Sequence, residues 1–339
     1  MTPSFYTLGI ETSCDETAVA VLKGEDDVVS NLVYSQAGLH SRYGGVVPEV
    51  ASRDHLRKLP YLVKEALAQA GIGPADLSLV AATYGPGLVG PLLVGLSHGK
   101  GIAFGAGIPF LGVNHLEGHL FAHRLSAPAS PPPFMGLIVS GGHTSLVEVR
   151  EYGDYRLVGA TVDDAAGEAL DKVGKLLGIG YPAGAELDRL AGEGDPRAIA
   201  FPRPMEGFPG FDFSFAGLKT AVLYHLRKHP GEKAADVAAS FLSSVVDVLA
   251  AKGIEATRRY RLKRLVVVGG VAASLRLRQE LARRGKERSI EVAFPPPALC
   301  TDNAAMIAGL GYHHISAGHR SGLDLAPSAR VAGFRRSYP

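Results

Sequence analysis

The stretch GIETSCDETAVAV, Gly9 to Val21, runs from an apolar strand through a tight polar turn into a second strand. A second stretch, IVSGGHTSLVEV, Ile138 to Val149, repeats this strand, turn and strand later in the chain. Turns of this kind present backbone N–H groups and short hydroxyls that can hold a phosphate. We therefore expect two related halves, each with a polar turn after its first strand.

The order of predicted elements supports this duplication. Each half runs three strands, a helix, a strand, a helix, a strand and a helix, by hydrophobic period and by Gly and Pro breaks. The second half also holds a largely helical stretch, roughly 185–253. The order is typical of the actin-like ATPase (ASKHA) fold, an α/β architecture of two duplicated βββαβα domains that face each other across a cleft. A fold alone identifies no chemistry.

A linker candidate separates the halves. The segment SAPASPPP, Ser126 to Pro133, has four prolines in eight residues, which neither a helix nor a sheet interior accepts. We predict an N-terminal domain over 1–130 and a C-terminal domain over 131–302, with the helical insertion at about 185–253. The last helix, about 303–325, is expected to pack back onto the first domain.

Composition indicates a folded protein of the cytoplasm. The 339 residues are 46% hydrophobic and 20% charged, which excludes a disordered chain. Two cysteines exclude a disulfide scaffold and fit a reducing compartment. The N-terminus lacks the pattern of a signal peptide, and no membrane association is expected. The 42 glycines predict many tight turns and close backbone approaches.

The segment NHLEGHLFAH carries a candidate metal site. His115 and His119 stand at i and i+4, one turn apart on one helical face, and His123 extends the stripe. Glu117 lies about 200° around the helix from His115, so the segment is not the His-Glu-x-x-His pattern of zinc proteases. The alternative is a helix with surface histidines or satisfied core histidines.

Carboxylates in two other segments are candidate ligands or bases. In LCTDNAAMIA, Asp302 precedes a helix and would supply a third metal ligand; alternatively Thr301 or Asp302 caps that helix. In the first turn, Glu11, Asp15 and Glu16 would coordinate a cation or act as a base. The alternative there is a solvated hairpin turn.

Two glycine pairs mark candidate ligand-binding turns. Gly141-Gly142, in the second polar turn, lets a ligand approach the main chain. Gly269-Gly270 ends a buried strand in VVVGGVAAS, and ligands in open α/β sheets bind at such carboxyl ends. The alternative is a turn that needs glycine for packing.

Charge is unevenly distributed although the net charge is only +2. Between Lys252 and Arg288, twelve Lys and Arg residues face three Glu residues, a net charge of +9, so the rest of the chain carries −7. Such a segment can bind a phosphate backbone, and the alternative is a solvated helix face.

Nine motifs, in order, resemble those of the TsaD family, the tRNA N6-adenosine threonylcarbamoyltransferases once described as O-sialoglycoprotein endopeptidases. They are GIETSCDETAVAV, HSRYGGVVPEVASRDH, GPGLVGPLLVG, NHLEGH, VSGGHT, DDAAGEALDKVGKLLG, FSFAGLKTAV, GGVAAS and CTDNAAMIAG. They span Gly9 to Gly309, nearly the whole chain.

The resemblance implies an enzyme that transfers the threonylcarbamoyl group from L-threonylcarbamoyladenylate to N6 of adenosine 37. Its substrates are tRNAs that read codons starting with adenine, and AMP is released. The implied partners are tRNA, a paralogous protein of similar fold and a small ATPase, with a homodimer as an open alternative. The competing functions are a metal-dependent kinase of actin-like fold and a glycoprotease.

The resemblance also implies the site residues. One divalent metal, Fe(II) with zinc as the alternative, is held by His115, His119 and Asp302, and Glu16 and Asp15 are implied to matter for activity. The residues implied to bind the adenylate, or ATP or ADP, are Ile138, Val139, Ser140, Gly141, Gly142, Asp171, Gly184, Asp188 and Ser274. For the tRNA we expect a footprint that includes Arg283, Arg284 and Arg288. Ser274 replaces an Asn that is usual in the family and lacks the second polar atom of that amide.

Overall fold

The computed structural model describes residues 4–126 and 131–331. These residues divide into two compact units. The first lies within Met1–Pro131, Glu151–Tyr155 and Thr301–Pro339, and the second within Pro132–Arg150 and Arg156–Cys300. The domain boundaries drawn from the sequence stay a prediction. Of the predicted linker, residues 127–130 lie outside the described residues.

The elements follow the predicted order. The strands are β1 Tyr6–Glu11, β2 Glu16–Lys23, β3 Asp27–Ser35, β4 Leu79–Gly85, β5 Phe110–Asn114, β6 Phe134–Val139, β7 Thr144–Glu151, β8 Asp154–Ala160, β9 Arg264–Val268 and β10 Glu291–Ala293. The helices are α1 Ala37–His40, α2 Pro48–Ala70, α3 Val89–Ala106, α4 His115–Ala122, α5 Ala166–Leu176, α6 Gly184–Ala191, α7 Ala216–Lys228, α8 Ala234–Arg259, α9 Leu275–Glu287, α10 Pro297–Cys300 and α11 Ala305–Ser316.

The two sheets have the same topology. The first has the order β3-β2-β1-β4-β5, and the second, read from its other edge, has the order β8-β7-β6-β9-β10. In each sheet the first strand pairs antiparallel with the second strand and parallel with the fourth. The duplication inferred from the order of elements is therefore present in the strand order as well.

Local chemistry explains which helix predictions succeeded. Helix α2 begins at Pro48, which suits the first helical turn, and ends at Gly71, whose φ of 67° is the left-handed conformation that favours glycine.

The largely helical stretch predicted for 185–253 is only partly right, because 192–215 holds no α-helix. Four prolines and four glycines occupy that interval and break a helix: Gly192, Gly194, Pro196, Pro202, Pro204, Gly207, Pro209 and Gly210.

Helix α8 forms the centre of the second core. It is long and apolar enough to cross a membrane, with a mean hydropathy of 1.6, but 83% of that stretch is buried inside the protein. Its Val237, Phe241 and Leu249 belong to one buried cluster with Leu137 of β6 and Val267 of β9. Burial within the fold thus accounts for the apolar character of α8.

Candidate metal centre

The two histidines are placed by the first turn of α4. The Asn114 side chain accepts hydrogen bonds from the backbone N–H groups of Leu116 and Glu117, at 2.9 and 3.3 Å, and so caps the helix. His115 and His119 are buried one turn apart. Their ring centroids lie 4.6 Å apart and their planes meet at 79°. The predicted common face is therefore present.

Asp302 lies just before α11 and does not act as its cap. The N-cap position of α11 is Ala304, and Asn303 lies directly before it: its Oδ1 accepts the N–H of Met306 at 3.1 Å, and its Nδ2 donates to the Thr301 carbonyl at 2.9 Å. The alternative that Thr301 or Asp302 caps the helix is therefore wrong. The Asp302 carboxylate instead faces the two histidines of α4.

The three candidate ligands converge. Asp302 Oδ1 lies 3.1 Å from His119 Nε2 and 3.7 Å from His115 Nε2. Bonds of about 2.0–2.2 Å to a tetrahedral ion would place ligand atoms roughly 3.4 Å apart, so two imidazole nitrogens and a carboxylate oxygen at these distances fit a divalent transition metal. His123 lies outside this group within the described residues.

Two glycines allow α11 to approach its neighbours. A Cβ on Gly9 of β1 would lie 2.3 Å from the carbonyl oxygen of Ala304, and one on Gly118 of α4 would lie 2.8 Å from the Ile307 side chain. The contact at Gly9 is with backbone and requires glycine, whereas at Gly118 the end of the Ile307 side chain would have to shift. These contacts fix the start of α11, and with it Asp302, beside α4.

Glu11 lies behind His115. The fully buried Glu11 carboxylate is 3.0 Å from His115 Nδ1. Burial by itself would raise the pKa of Glu11, but His115 and the Thr83 hydroxyl outweigh it and hold that pKa below its usual value. Burial would conversely lower the pKa of His115, but Glu11 and Asp302 raise it to about 9.

The remaining carboxylates of the first turn also lie near Asp302. Burial, followed by the charges of Asp302 and Asp15, raises the pKa of Glu16 to about 9. The same two carboxylates, after burial, raise the pKa of the Cys14 thiol. Asp15 is buried as well. The structure thus brings Asp15 and Glu16 towards the His115, His119 and Asp302 group, and the first turn is not a solvated hairpin.

Glu117 faces away from that group, as its position on the helix predicts. Its carboxylate lies 3.6 Å from His314 Nε2 on α11, and both side chains are buried. Burial raises the pKa of Glu117 to about 8. Glu117 therefore cannot serve as the base of a zinc protease at this centre.

The second polar turn lies in the other unit and is shaped by close backbone contacts. The Ser140 N–H donates to the His143 carbonyl at 2.8 Å, and the His143 N–H donates to Ser140 Oγ at 3.1 Å. A Cβ on Gly269 would lie 2.4 Å from the Val139 oxygen, whereas Gly141 and Gly142 face open space. Gly269 is thus needed for packing, and Gly141 and Gly142 leave room for a ligand.

Ile138 and Val139, at the end of β6, are fully buried. Neither side chain is exposed, so a role in binding for either residue would not involve its side chain.

Four further predicted ligand-binding residues surround α6 and the start of α9. Asp171 Oδ1 accepts the N–H of Ala183 at 2.8 Å, directly before Gly184 begins α6. Asp188 on α6 accepts the Ser274 hydroxyl at 2.7 Å and the N–H of Leu275 at 3.2 Å. Asp188 and Ser274 therefore hold the N-terminus of α9, in addition to any contact with a ligand.

The basic segment is partly neutralised by ion pairs. Arg283 bonds to Glu280 and Glu287, and Arg284 bonds to Glu280 and Asp247. Arg288 is exposed at the end of α9 and has no carboxylate within 4 Å among residues 4–126 and 131–331. Of the three arginines predicted to contact tRNA, Arg288 thus has the least compensated charge.

Comparison with known proteins identifies the family. A sequence model described as TsaD, tRNA N6-adenosine threonylcarbamoyltransferase, matches residues 27–309. The chain belongs to the TsaD family. The tRNA N6-adenosine threonylcarbamoyltransferase of Thermotoga neapolitana is 52% identical over 311 residues, 92% of this chain and 94% of that protein. The enzyme of that name from Geobacter sp. (strain M21) is 52% identical over 321 residues, 94% of each chain.

Solved structures place this TsaD-family chain in the actin-like ATPase fold, as predicted. The activator of the 2-hydroxyisocaproyl-CoA dehydratase from Clostridium difficile aligns with a TM-score of 0.57 and 16% identity, over 93% of this chain and 97% of that one. T. kodakarensis HypF aligns with a TM-score of 0.64 and 16% identity, over 93% of this chain and 48% of that one. At this identity the likeness concerns the fold alone.

The sequence did not predict three contacts, two at the candidate metal centre and one at the turn after β6. Asn303 was read only as part of a motif, Gly167 was not singled out, and the contact of Glu11 with His115 was not foreseen. Gly167 is the second residue of α5 and lies against the second polar turn: its N–H donates to the Ser140 carbonyl at 3.2 Å, and a Cβ would lie 2.6 Å from that oxygen. The signal for Gly167 is a glycine near the start of a helix, whereas the contact of Glu11 with His115 is distant in sequence and has no local signal.

Proposed function

We propose that this chain transfers the threonylcarbamoyl group from L-threonylcarbamoyladenylate to N6 of adenosine 37 in tRNAs that read ANN codons, with release of AMP. The observation that carries the proposal is the 52% identity to enzymes of this name over more than nine-tenths of the chain. The assembled His115, His119 and Asp302 group supports it, since these are the residues that the family resemblance implied as metal ligands.

For the metal we propose Fe(II), with zinc as the alternative. Two imidazoles and one carboxylate suit both ions, and iron is favoured because this donor set matches the two-histidine, one-carboxylate sites of Fe(II) proteins. When bound, a divalent cation would supply Lewis-acid stabilisation of charge that develops on the carbamoyl oxygen or the phosphate. His115, His119 and Asp302 would hold it.

The adenylate is proposed to bind at the turn of the second unit. Gly141 and Gly142 face open space, so their main-chain N–H groups can approach its phosphate without steric hindrance. Asp171, Gly184, Asp188 and Ser274 are proposed to contact the nucleoside part, and the same residues would take ATP or ADP. Because Asp188 and Ser274 already bond to each other, a ligand there would add to an existing network.

The exocyclic amine of adenosine must lose a proton as it attacks the carbamoyl carbon. We propose that Asp15 or Glu16 receives it, and the adenylate phosphate is the alternative acceptor. Because the pKa of Glu16 is raised to about 9, Glu16 can accept the proton only in its ionised form. Replacement of Glu16 by Gln or of Asp15 by Asn would lower the single-turnover rate if the carboxylate is the acceptor. An unchanged rate in both variants would assign the role to the phosphate.

The proposed partners are tRNA, a paralogous protein of similar fold and a small ATPase, in the cytoplasm. An apolar groove between α2 and α3 is a candidate docking site for the paralogue. Leu56 and Leu93 are exposed there, and the groove has a volume of about 350 Å³. Exposed apolar surface of this kind often marks a protein interface.

A direct test is modification of tRNA by the purified chain with supplied L-threonylcarbamoyladenylate, with and without the partner proteins. Mass spectrometry of the digested tRNA should show threonylcarbamoyladenosine at position 37, and a His115→Ala/His119→Ala variant should yield none. Failure of the chain to modify tRNA even with its partners would contradict the proposal.

The same preparation tests the two competing functions. Incubation with ATP and sugars or acetate should give no phosphorylated product, and a glycoprotein substrate should stay intact. Phosphorylation without tRNA modification would favour the kinase. Glycoprotein cleavage that is lost in the histidine variant would favour the protease.

A further inference from the structure

The strongest unassigned feature of the first unit is the set of contacts of Glu11. This residue ends β1, and its side chain is wholly buried. Its Oε1 accepts the N–H of Ser13 at 2.5 Å, and its Oε2 accepts the Thr83 hydroxyl at 2.6 Å and faces His115 Nδ1 at 3.0 Å. Three donors around both oxygens are what a buried carboxylate needs to remain charged.

These contacts decide which nitrogen of His115 is available. Since Nδ1 faces Glu11, and the Ser13 hydroxyl at 3.2 Å, the lone pair available for a ligand bond is that of Nε2. Nε2 is also the atom directed towards Asp302. A carboxylate that accepts the other N–H of a histidine fixes its tautomer and ring orientation and makes it a stronger donor.

His119 lacks such support. Its Nδ1 is buried and has no hydrogen-bond partner within the described ranges 4–126 and 131–331. The two histidines of the group are therefore not equivalent, because only His115 is backed by a carboxylate. Glu11 itself lies outside the group of three that could hold an ion.

We propose that Glu11 is a positioning residue for the cation: it orients His115 through Nδ1 and adds a buried negative charge behind the three ligands. The inference rests on the proposed metal role of His115, His119 and Asp302. It separates Glu11 from Asp15 and Glu16, with which the sequence grouped it, and predicts that Glu11 controls cation affinity without touching the cation.

Cobalt(II) binding tests this inference without any measurement of tRNA modification. The metal-free chain and its Glu11→Gln variant would be titrated with Co(II), by the visible absorption of the bound ion and by competition with a chelator. The variant keeps the shape of the side chain but removes its charge. Loss of such outer contacts weakens metal binding about 10–100-fold, and that is the range expected here, with altered absorption bands.

Glu117→Gln is the matched control. Glu117 is also a carboxylate buried in the first unit and lies on α4 between the two histidines, but it faces His314. We expect its Co(II) affinity to stay near that of the parent. Equal weakening in both variants would indicate a general effect of replacing a buried carboxyl group in this unit and would overturn the specific role of Glu11.

A second variant covers the case in which Glu11→Gln does not fold, as judged by circular dichroism and urea denaturation. Thr83→Val removes one donor to Glu11 but keeps its charge, and should weaken Co(II) binding in the same direction by less. Parent-like affinity and absorption in the folded Glu11→Gln variant, or in Thr83→Val if that variant alone folds, overturns the inference and leaves the proposed metal centre standing. No Co(II) binding by the parent overturns both.

Discussion

At the scale of single residues, each end of the candidate metal centre pairs a metal-ligating residue with a neighbouring asparagine that bonds to the start of a helix. Asn114 caps α4, so His115 is free to face inward from the first helical position. Asn303 bonds to the start of α11, and the Oδ1 atom of the neighbouring Asp302 lies 3.1 Å from His119 Nε2. In both places an amide oxygen accepts hydrogen bonds from backbone N–H groups at the start of a helix. These N–H groups would otherwise compete for the adjacent metal-ligating side chain.

The histidine triplet of the sequence gives the first prediction. His115→Ala and His119→Ala should each abolish measurable Co(II) binding and tRNA modification, because each removes one of three ligands. His123→Gln is the control, since His123 shares the sequence spacing but lies outside the group. Isothermal titration calorimetry would check this. Loss of the metal in the His123 variant, with the fold intact, would mean that the ligand set is misassigned.

Gly269 gives a prediction about the second turn. Its φ of 93° and ψ of 164° lie in a region that is almost exclusive to glycine, and a Cβ would collide with the Val139 oxygen. Gly269→Ala should therefore lower the free energy of unfolding by about 3 kcal/mol, from backbone strain and overpacking together. Urea denaturation measures the loss.

Gly178→Ala separates the two causes. Gly178 has a φ of 75°, but a Cβ there would meet no atom within 4 Å. The Gly178→Ala variant should lose only about 1 kcal/mol of its free energy of unfolding, from backbone conformation alone. Equal losses at the two positions would show that the contact with Val139 contributes nothing.

At the scale of elements, the sequence predicts what local chemistry determines. The bounds of α2 follow from Pro48 and Gly71, and the strands follow from short apolar runs between polar turns. The interval 192–215 holds no α-helix, because its prolines and glycines interrupt a helix. Helices α1 and α10, four residues each, are too short to show a period.

The candidate site was predictable to a similar extent. The common face of His115 and His119 follows from their spacing, because the helix itself supplies the geometry. The approach of Asp302 is a tertiary contact across more than half of the chain. The sequence offers Asp302 as a third ligand with helix capping as the alternative, and the family resemblance favours the ligand. The bond between Glu11 and His115 had no signal, since nothing local to either residue records the other.

Helix α9 gives a prediction about tRNA. Arg283 and Arg284 already face Glu280, Glu287 and Asp247, so their charges are partly compensated. Arg288→Glu should therefore weaken tRNA binding more than Arg283→Glu does and should lower the dependence of the binding constant on salt concentration. Filter binding over a series of salt concentrations measures both effects.

Glu280→Gln is the complementary variant. It should strengthen tRNA binding if the ion pairs of Arg283 and Arg284 compete with phosphate contacts, because it releases both arginines. If all of these variants bind tRNA like the parent, the footprint lies on another surface.

At the scale of the whole molecule, the two units keep one topology but differ in chemistry at corresponding turns. The turn after β1 holds Glu11, Asp15 and Glu16, whereas the turn after β6 holds Gly141 and Gly142. Some glycines lie where backbones come close, such as Gly9 and Gly269, and others, such as Gly141 and Gly142, face open space. The small net charge conceals the basic segment from Lys252 to Arg288, because the rest of the chain carries −7.

The groove between α2 and α3 gives the last prediction. Leu56 and Leu93 are 65% and 52% exposed, although Leu59 beneath them is fully buried. Burial of such side chains in an interface is worth about 1.5–3 kcal/mol each, so Leu56→Asp and Leu93→Asp should each weaken association with the paralogous partner at least tenfold. Co(II) binding should persist, since neither residue contacts the metal ligands.

The control is Leu157→Asp, which changes an exposed leucine of the other unit. Sedimentation of the chain alone and with its partner decides the occupant: variants that dissociate a homodimer but still bind the paralogue would assign the groove to a second copy of this chain.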